Sequence, residues 1–303
     1  MAKKIEVIEV GPRDGFQSVS CAPIPTEQKL AVIDGLIASG VRHIEYTSFV
    51  SPKAIPQLAD AAEVTKTVLA RYPEADLFAL VPNLRGAKDA CALGLRKVCY
   101  VVSLSASHNK ANINRTHAQS LAAFREIRDA CPDLDVIVDL ATAFGCPFEG
   151  KYRDPGAAVE FLRGYMDAGM TACCLCDTVG IADPAQVREL IAAVREACPA
   201  LTLMVHFHDT RGTGLANTLA AMEAGVTHVQ AALGGLGGCP FAPGASGNLS
   251  TEDLVWTLTE MGYETGIDFP RLLETAKNQT AMISGNYSGH QIHIQQPAEQ
   301  RGA

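Results

Sequence analysis

Eight times along this chain of 303 residues, a short apolar run gives way to a stretch with helical periodicity. No other feature limits the fold as strongly. The first half pairs Ile5 to Val10 with Thr26 to Ser39, His43 to Thr47 with Ala59 to Arg71, Leu77 to Val81 with Leu84 to Leu93, and Lys97 to Leu104 with Thr116 to Ala130. The second half pairs Asp135 to Leu140 with Asp154 to Ala168, Thr171 to Cys176 with Pro184 to Ala197, Leu201 to Phe207 with Leu215 to Ala224, and His228 to Ala231 with Thr251 to Met261. Runs that are apolar throughout are covered on both faces, which is the habit of parallel strands joined by helices. Eight such pairs predict an α/β chain closed as a (β/α)8 TIM barrel. An open doubly wound sheet would carry a dinucleotide fingerprint after its first strand, and GPRDG is not one. Thr26 reads as the cap of the first helix. Asp268 to Ile283 reads as an extra C-terminal helix, so the expected organisation is one barrel domain over residues 1–283. The remainder, 284–303, is polar and Gln-rich, and reads as a flexible or lid-like tail.

Composition narrows the function class. A hydrophobic content of 48% with 19% charged residues suits a soluble globular enzyme. The net charge of −8 and the lack of any basic run argue against nucleic acid as a partner. No apolar run is long enough to span a bilayer, so no membrane partner is expected. Ten scattered cysteines read as thiols in a reducing compartment, and MAKKIEVIEV leads straight into a strand without a secretory pattern. A cytoplasmic location is the expectation. Cys173, Cys174 and Cys176 lie inside one buried strand and read as core fillers.

In such a barrel the reacting groups stand at the carboxyl ends of the strands. Arg13 and Asp14 follow strand one, Glu45 ends strand two, Asp177 ends strand six, and His206 and His208 end strand seven. Residues two apart on a strand share a face, so both imidazoles can enter the mouth while Phe207 faces the helices. With Asp14 as carboxylate and Asn248 as amide oxygen, they make a site for Mg, Mn, Zn or Co. Cys239 lies in GLGGCPFAPGASGN, where glycines let backbone and thiol approach a ligand. A fixed Arg13 guanidinium suits an oxyanion that develops during reaction. Glu9, Glu45, Asp177 and Glu252 are then expected to orient Arg13, the histidines and Asn248.

The segments EVGPRDGFQ, IEYTSFVSPKAIPQ, FGCPFEGK, HFHDT, GLANTLAAMEAGV and GLGGCPFAPGASGNLSTEDLV, with the Asp177-Thr178-Val179-Gly180 turn, resemble the 3-hydroxy-3-methylglutaryl-CoA lyases. The likeness runs from about residue 5 to residue 270. It implies a divalent cation, Mg or Mn, held by Asp14, His206, His208 and Asn248. It also implies catalytic roles for Arg13 and Cys239, with Asp14 and His206 near the substrate hydroxyl, and Gln17 and Thr178 facing the substrate. The implied reaction is a retro-Claisen cleavage of an acyl-CoA thioester to acetyl-CoA and acetoacetate, a step of leucine catabolism, in a homodimer. Arg13 would stabilise the enolate oxygen and Cys239 would return a proton to the enolate carbon.

The chain departs from that pattern in several places. Ser18-Val19 replaces Asn-Glu, SASHNKANIN lacks a Glu-aromatic pair, Asp139 stands near a usual tyrosine, and Arg211 replaces an aromatic. All of these positions are expected to line the acyl pocket and the coenzyme A approach, with Asp139 and Arg211 as the specificity candidates. Two other readings are a lyase or aldolase of the same class acting on another 3-hydroxyacyl-CoA, citramalyl-like or longer and branched, and a non-catalytic barrel that binds acyl-CoA.

Overall fold

A computed structural model describes residues 3–20, 22–238 and 247–294. Its eight barrel strands are β1 (Glu6–Glu9), β2 (His43–Ser48), β3 (Asp76–Leu80), β4 (Lys97–Ser103), β5 (Asp135–Ala141), β6 (Ala172–Asp177), β7 (Thr202–Phe207) and β8 (His228–Ala231). All neighbours are parallel, and β1 pairs with both β2 and β8, so the sheet closes on itself. The expected (β/α)8 barrel is what the chain forms. Closure is what brings the first strand beside the last.

The alternation along β7 shows how sequence sets the faces. Leu203, Val205 and Phe207 point outward into the layer between strands and helices, where Phe207 packs on Phe144 with ring centroids 5.4 Å apart. Met204 points inward to join Ile8, Phe78, Cys99, Ile137 and Cys174 in the barrel interior. Burial of each large side chain contributes about 1.5–3 kcal/mol. Cys173 faces the helices while Cys174 and Cys176 face the interior, so the three cysteines are divided between two cores.

The helices are α1 (Thr26–Ala38), α2 (Ala61–Arg71), α3 (Leu84–Ala92), α4 (Ala106–Ile113), α5 (His117–Ala130), α6 (Gly156–Met166), α7 (Pro184–Ala197), α8 (Gly214–Glu223), α9 (Thr251–Glu260) and α10 (Phe269–Met282). Thr116 caps α5 in a capping box with Gln119, and Asp183 caps α7 ahead of Pro184. The expected Thr26 cap is not formed. Pro25 occupies the cap position, and the Thr26 hydroxyl instead donates to Asp60 Oδ2 at 2.8 Å. Helix α4 was not expected; Ser105 caps it by accepting from the His108 N–H at 3.0 Å. The extra helix α10 lies against α1 and α9. Beyond it, Tyr287 donates to Ile283 O at 2.8 Å, the Gly289 N–H to Gly234 O at 3.0 Å, and the His290 N–H to Asp253. Among the described residues no helix is long and apolar enough to cross a membrane.

Candidate active site and metal centre

Chain chemistry places the first functional pair. After β1 the sequence GPRDG winds into one π-helical turn, Gly11–Gly15, with Pro12 at its start. Single π turns recur at functional sites because they re-aim side chains without ending the structure. The turn carries the Arg13 guanidinium to Glu45, which lies within β2 rather than at its end as expected. Arg13 donates through Nε to Oε1 at 2.7 Å and through Nη2 to Oε2 at 2.8 Å. Its Nη1 donates to Asp14 Oδ1 at 2.5 Å. Burial works against the charged guanidinium, but Glu45 and Asp14 outweigh it and hold the pKa well above the ordinary value.

From the opposite end of the chain come His206, facing inward at the end of β7, and His208 just beyond it. Their ring centroids lie 5.1 Å apart. One donor atom from each of Asp14, His206 and His208 falls within 4.8 Å of the others. Asn248 joins them because its backbone bridges to His208. Its side-chain amide donates to Asp14 Oδ2 at 2.8 Å and to Leu236 O at 3.1 Å. That approach needs glycine, since a Cβ on Gly247 would fall onto the backbone of Gly237.

The charge states suit a cation. Burial, with His208 alongside, pushes the His206 pKa down to about 3, and burial lowers that of His208 as well, so both imidazoles are neutral with lone pairs to give. Burial raises the Asp14 pKa, but Arg13 and the imidazoles outweigh it and hold it at about 2, leaving a carboxylate. His206 Nδ1, His208 Nδ1 and Asn248 Oδ1 are buried without a hydrogen-bond partner. Orphaned nitrogen and oxygen atoms around one carboxylate fit a divalent ion.

These groups open on a cavity of about 490 Å³ lined by Arg13, Asp14, Gln17, Asp139, Thr178, His206 and His208, among others. Thr178 Oγ1 also accepts from the Thr142 N–H at 2.8 Å, fixing the β5 and β6 loops to each other. Asp177 accepts from the backbone N–H groups of Ile181 and Ala182, both at 3.0 Å, and so shapes the turn after β6. Asn112 lines the cavity within the SASHNKANIN stretch that was expected to line the acyl pocket, while Asn83 after β3 and Arg115 just past helix α4 line it too and were not foreseen.

Three expectations need correction. Arg211 does not line the cavity: it is exposed and donates to the carbonyls of Val179 and Gly180 at 3.0 and 2.8 Å. Glu9 does not orient Arg13 or the histidines. Its carboxylate accepts from the N–H groups of Gly11 and Leu233 at 2.7 and 2.8 Å and from the Thr251 hydroxyl at 2.6 Å. Glu252 likewise accepts from the Gly234 N–H at 2.8 Å, so both acids hold backbone around the closing strands. Burial pushes each carboxyl up to about 7. Cys239 lies outside the described residues.

The comparisons with known proteins agree with this geometry. The HMGL-like family model matches residues 4–278. A hydroxymethylglutaryl-CoA lyase of Bacillus subtilis is 40% identical over 91% of this chain and 92% of its own. The mitochondrial hydroxymethylglutaryl-CoA lyase of Homo sapiens is 40% identical over 90% of this chain and 84% of its own. The solved structure of an HMG-CoA lyase from Acinetobacter baumannii, in complex with coenzyme A and 3-methylmalate, superposes with a TM-score of 0.90 at 40% identity, covering 98% of this chain and 96% of that one. The barrel, the Arg-Asp turn and the paired histidines thus belong to a chain of the HMGL-like family.

Proposed function

We propose that this chain is a divalent-cation-dependent carbon–carbon lyase that cleaves a 3-hydroxy-3-methylglutaryl-CoA-type thioester to acetyl-CoA and acetoacetate. The observation that carries the reading is the convergence of Arg13, Asp14, His206 and His208 on one cavity. Asp14, His206, His208 and Asn248 would hold the cation, Mg or Mn, which supplies Lewis-acid stabilisation of negative charge on oxygen.

The chain's own residues carry the rest. Breaking a carbon–carbon bond next to a thioester carbonyl builds charge on the carbonyl oxygen. The Arg13 guanidinium, held on both edges by Glu45 and Asp14, faces that charge with no reorganisation at the moment of reaction. On the strength of the family likeness, Asp14 or His206 takes the hydroxyl proton. Cys239 is assigned the return of a proton to the enolate carbon, on the strength of the family likeness. Arg115 gives the cavity a second guanidinium for an anionic substrate.

A second reading, cleavage of a different 3-hydroxyacyl-CoA, is favoured by one feature. Asp139 places a buried carboxyl in the cavity wall with Oδ1 unpartnered. Acetyl-CoA release from a panel of thioesters, by metal-stripped protein with and without Mg or Mn, tests both. Release only with a cation, and roughly 10²- to 10³-fold slower in Arg13→Met, is the expected result. Release by the stripped protein at the full rate contradicts the proposal. Release from another thioester alone selects the second reading.

A further inference from the structure

A second cluster of metal-type donors lies inside the barrel, apart from Asp14, His206 and His208. Cys174 and Cys176 stand two residues apart on β6 and share its inward face, while Asp139 on β5 is in register with Cys174. One ligand atom from each of Asp139, Cys174 and Cys176 lies within 4.8 Å of the others, and all three residues are buried. A second triad, Glu45, Cys99 and Asp139, meets the same limit and shares the aspartate. The cleavage described above uses none of these thiols.

Two further facts point to a ligand. Asp139 is 3% exposed, and its Oδ1 has no hydrogen-bond partner. A buried carboxyl oxygen is seldom left so. Asp139 and Cys176 also line the cavity, so an ion entering at the barrel mouth can reach both. We propose that Asp139, Cys174 and Cys176 form a second cation site, selective for a thiophilic divalent ion of the Zn²⁺ class over Mg²⁺. The two sites are then sorted by donor chemistry. Imidazole, carboxylate and amide serve the ion at the mouth, and two sulfurs with one oxygen serve the softer ion within.

Burial raises the pKa of Cys174; at Cys176 the hydrogen bond with Cys174 lowers it, but burial and Asp139 outweigh that, so without an ion both thiols carry their protons. Burial, with Glu45 alongside, pushes the Asp139 carboxyl up to about 7, so binding moves one proton from each thiol and the proton held by Asp139 to solvent; each sulfur keeps its electron pair for the metal, with no change of oxidation state. Affinity for the soft ion therefore rises with pH.

Cadmium-113 NMR on the full-length, metal-stripped chain with two equivalents of Cd²⁺ tests this. The proposal expects one resonance displaced downfield by sulfur coordination. It should be absent in Cys174→Ser/Cys176→Ser and kept in Cys239→Ala and in Cys91→Ser/Cys131→Ser. A displaced resonance that survives the Cys174/Cys176 change, or its absence from wild type, overturns the proposal. Should that double variant fail to fold, crystals of wild type soaked in Zn²⁺ decide. Anomalous density among Asp139, Cys174 and Cys176 supports the site, and none there overturns it. The outcome is independent of whether the thioester-cleavage reading holds, because neither readout measures activity.

Discussion

Glu45 grips the Arg13 guanidinium on two edges, Oε1 on Nε at 2.7 Å and Oε2 on Nη2 at 2.8 Å, with both side chains buried. Such a pair fixes direction as well as charge. Glu45→Ala leaves a buried cation with Asp14 as its remaining carboxylate. We expect a stability loss of about 3–5 kcal/mol, and a fall in kcat of roughly 10²-fold or more with a smaller change in KM. Urea denaturation and steady-state kinetics measure both. An unchanged kcat would show that Arg13 keeps its aim without Glu45.

Asn248 ties the segment after β8 to Asp14 through a 2.8 Å hydrogen bond and leaves its own Oδ1 unpartnered. Asn248→Ala should weaken Mn²⁺ binding roughly 10- to 100-fold, as loss of a supporting group at a metal site does. Calorimetric titration gives the number. Equal affinity in the variant would remove Asn248 from the cation site.

Glu9 gathers three donors from both ends of the chain, so its role is to close the barrel rather than to act on substrate. Glu9→Ala strands two buried N–H groups and one hydroxyl, at about 1–3 kcal/mol for each group left unpaired. Glu9→Gln should recover part of this loss, because an amide oxygen still accepts. Equal denaturation midpoints for Glu9→Ala and wild type would contradict that role.

His43 sits at the other end of the barrel, 2.8 Å from Asp76 and 2.9 Å from Glu6. The hydrogen bond to Asp76 raises its pKa despite burial, with both carboxylates adding. A raised folded-state pKa means the contribution is full below the ordinary histidine value and is lost as pH rises through the folded one. Asp76 and Glu6 have lowered pKa values, so their share is present above the ordinary carboxylate range and is lost as pH falls through the folded values. The stability gap between wild type and His43→Gln should therefore be widest in mildly acidic solution and narrow toward alkaline pH. A gap that grows with pH would reverse the assignment.

Much of the fold was legible in the sequence because each strand is a short, mostly apolar run followed by a stretch of helical periodicity, and the eightfold count then leaves little but a barrel. The cation site was legible through two local patterns, Arg13-Asp14 after β1 and the same-face pair His206 and His208. What escaped depends on contacts distant in sequence. Nothing near Arg211 announces that the carbonyls of Val179 and Gly180 capture its guanidinium. Glu9 reads as a strand-end acid until Leu233 and Thr251 arrive from the far end of the chain. Helix α4 was hidden because its residues are mostly polar, and its start is marked only by the Ser105 cap.

The central claim is that Asp14 from the start of the chain and His206 and His208 from its last third grip one ion. Pulsed electron paramagnetic resonance on Mn²⁺-loaded protein, with histidine nitrogens labelled as ¹⁵N, tests it most directly. The account predicts one bound Mn²⁺ with couplings to imidazole nitrogen, and loss of that ion in Asp14→Ala. A Mn²⁺ signal without nitrogen coupling, or one unaltered in Asp14→Ala, would contradict it.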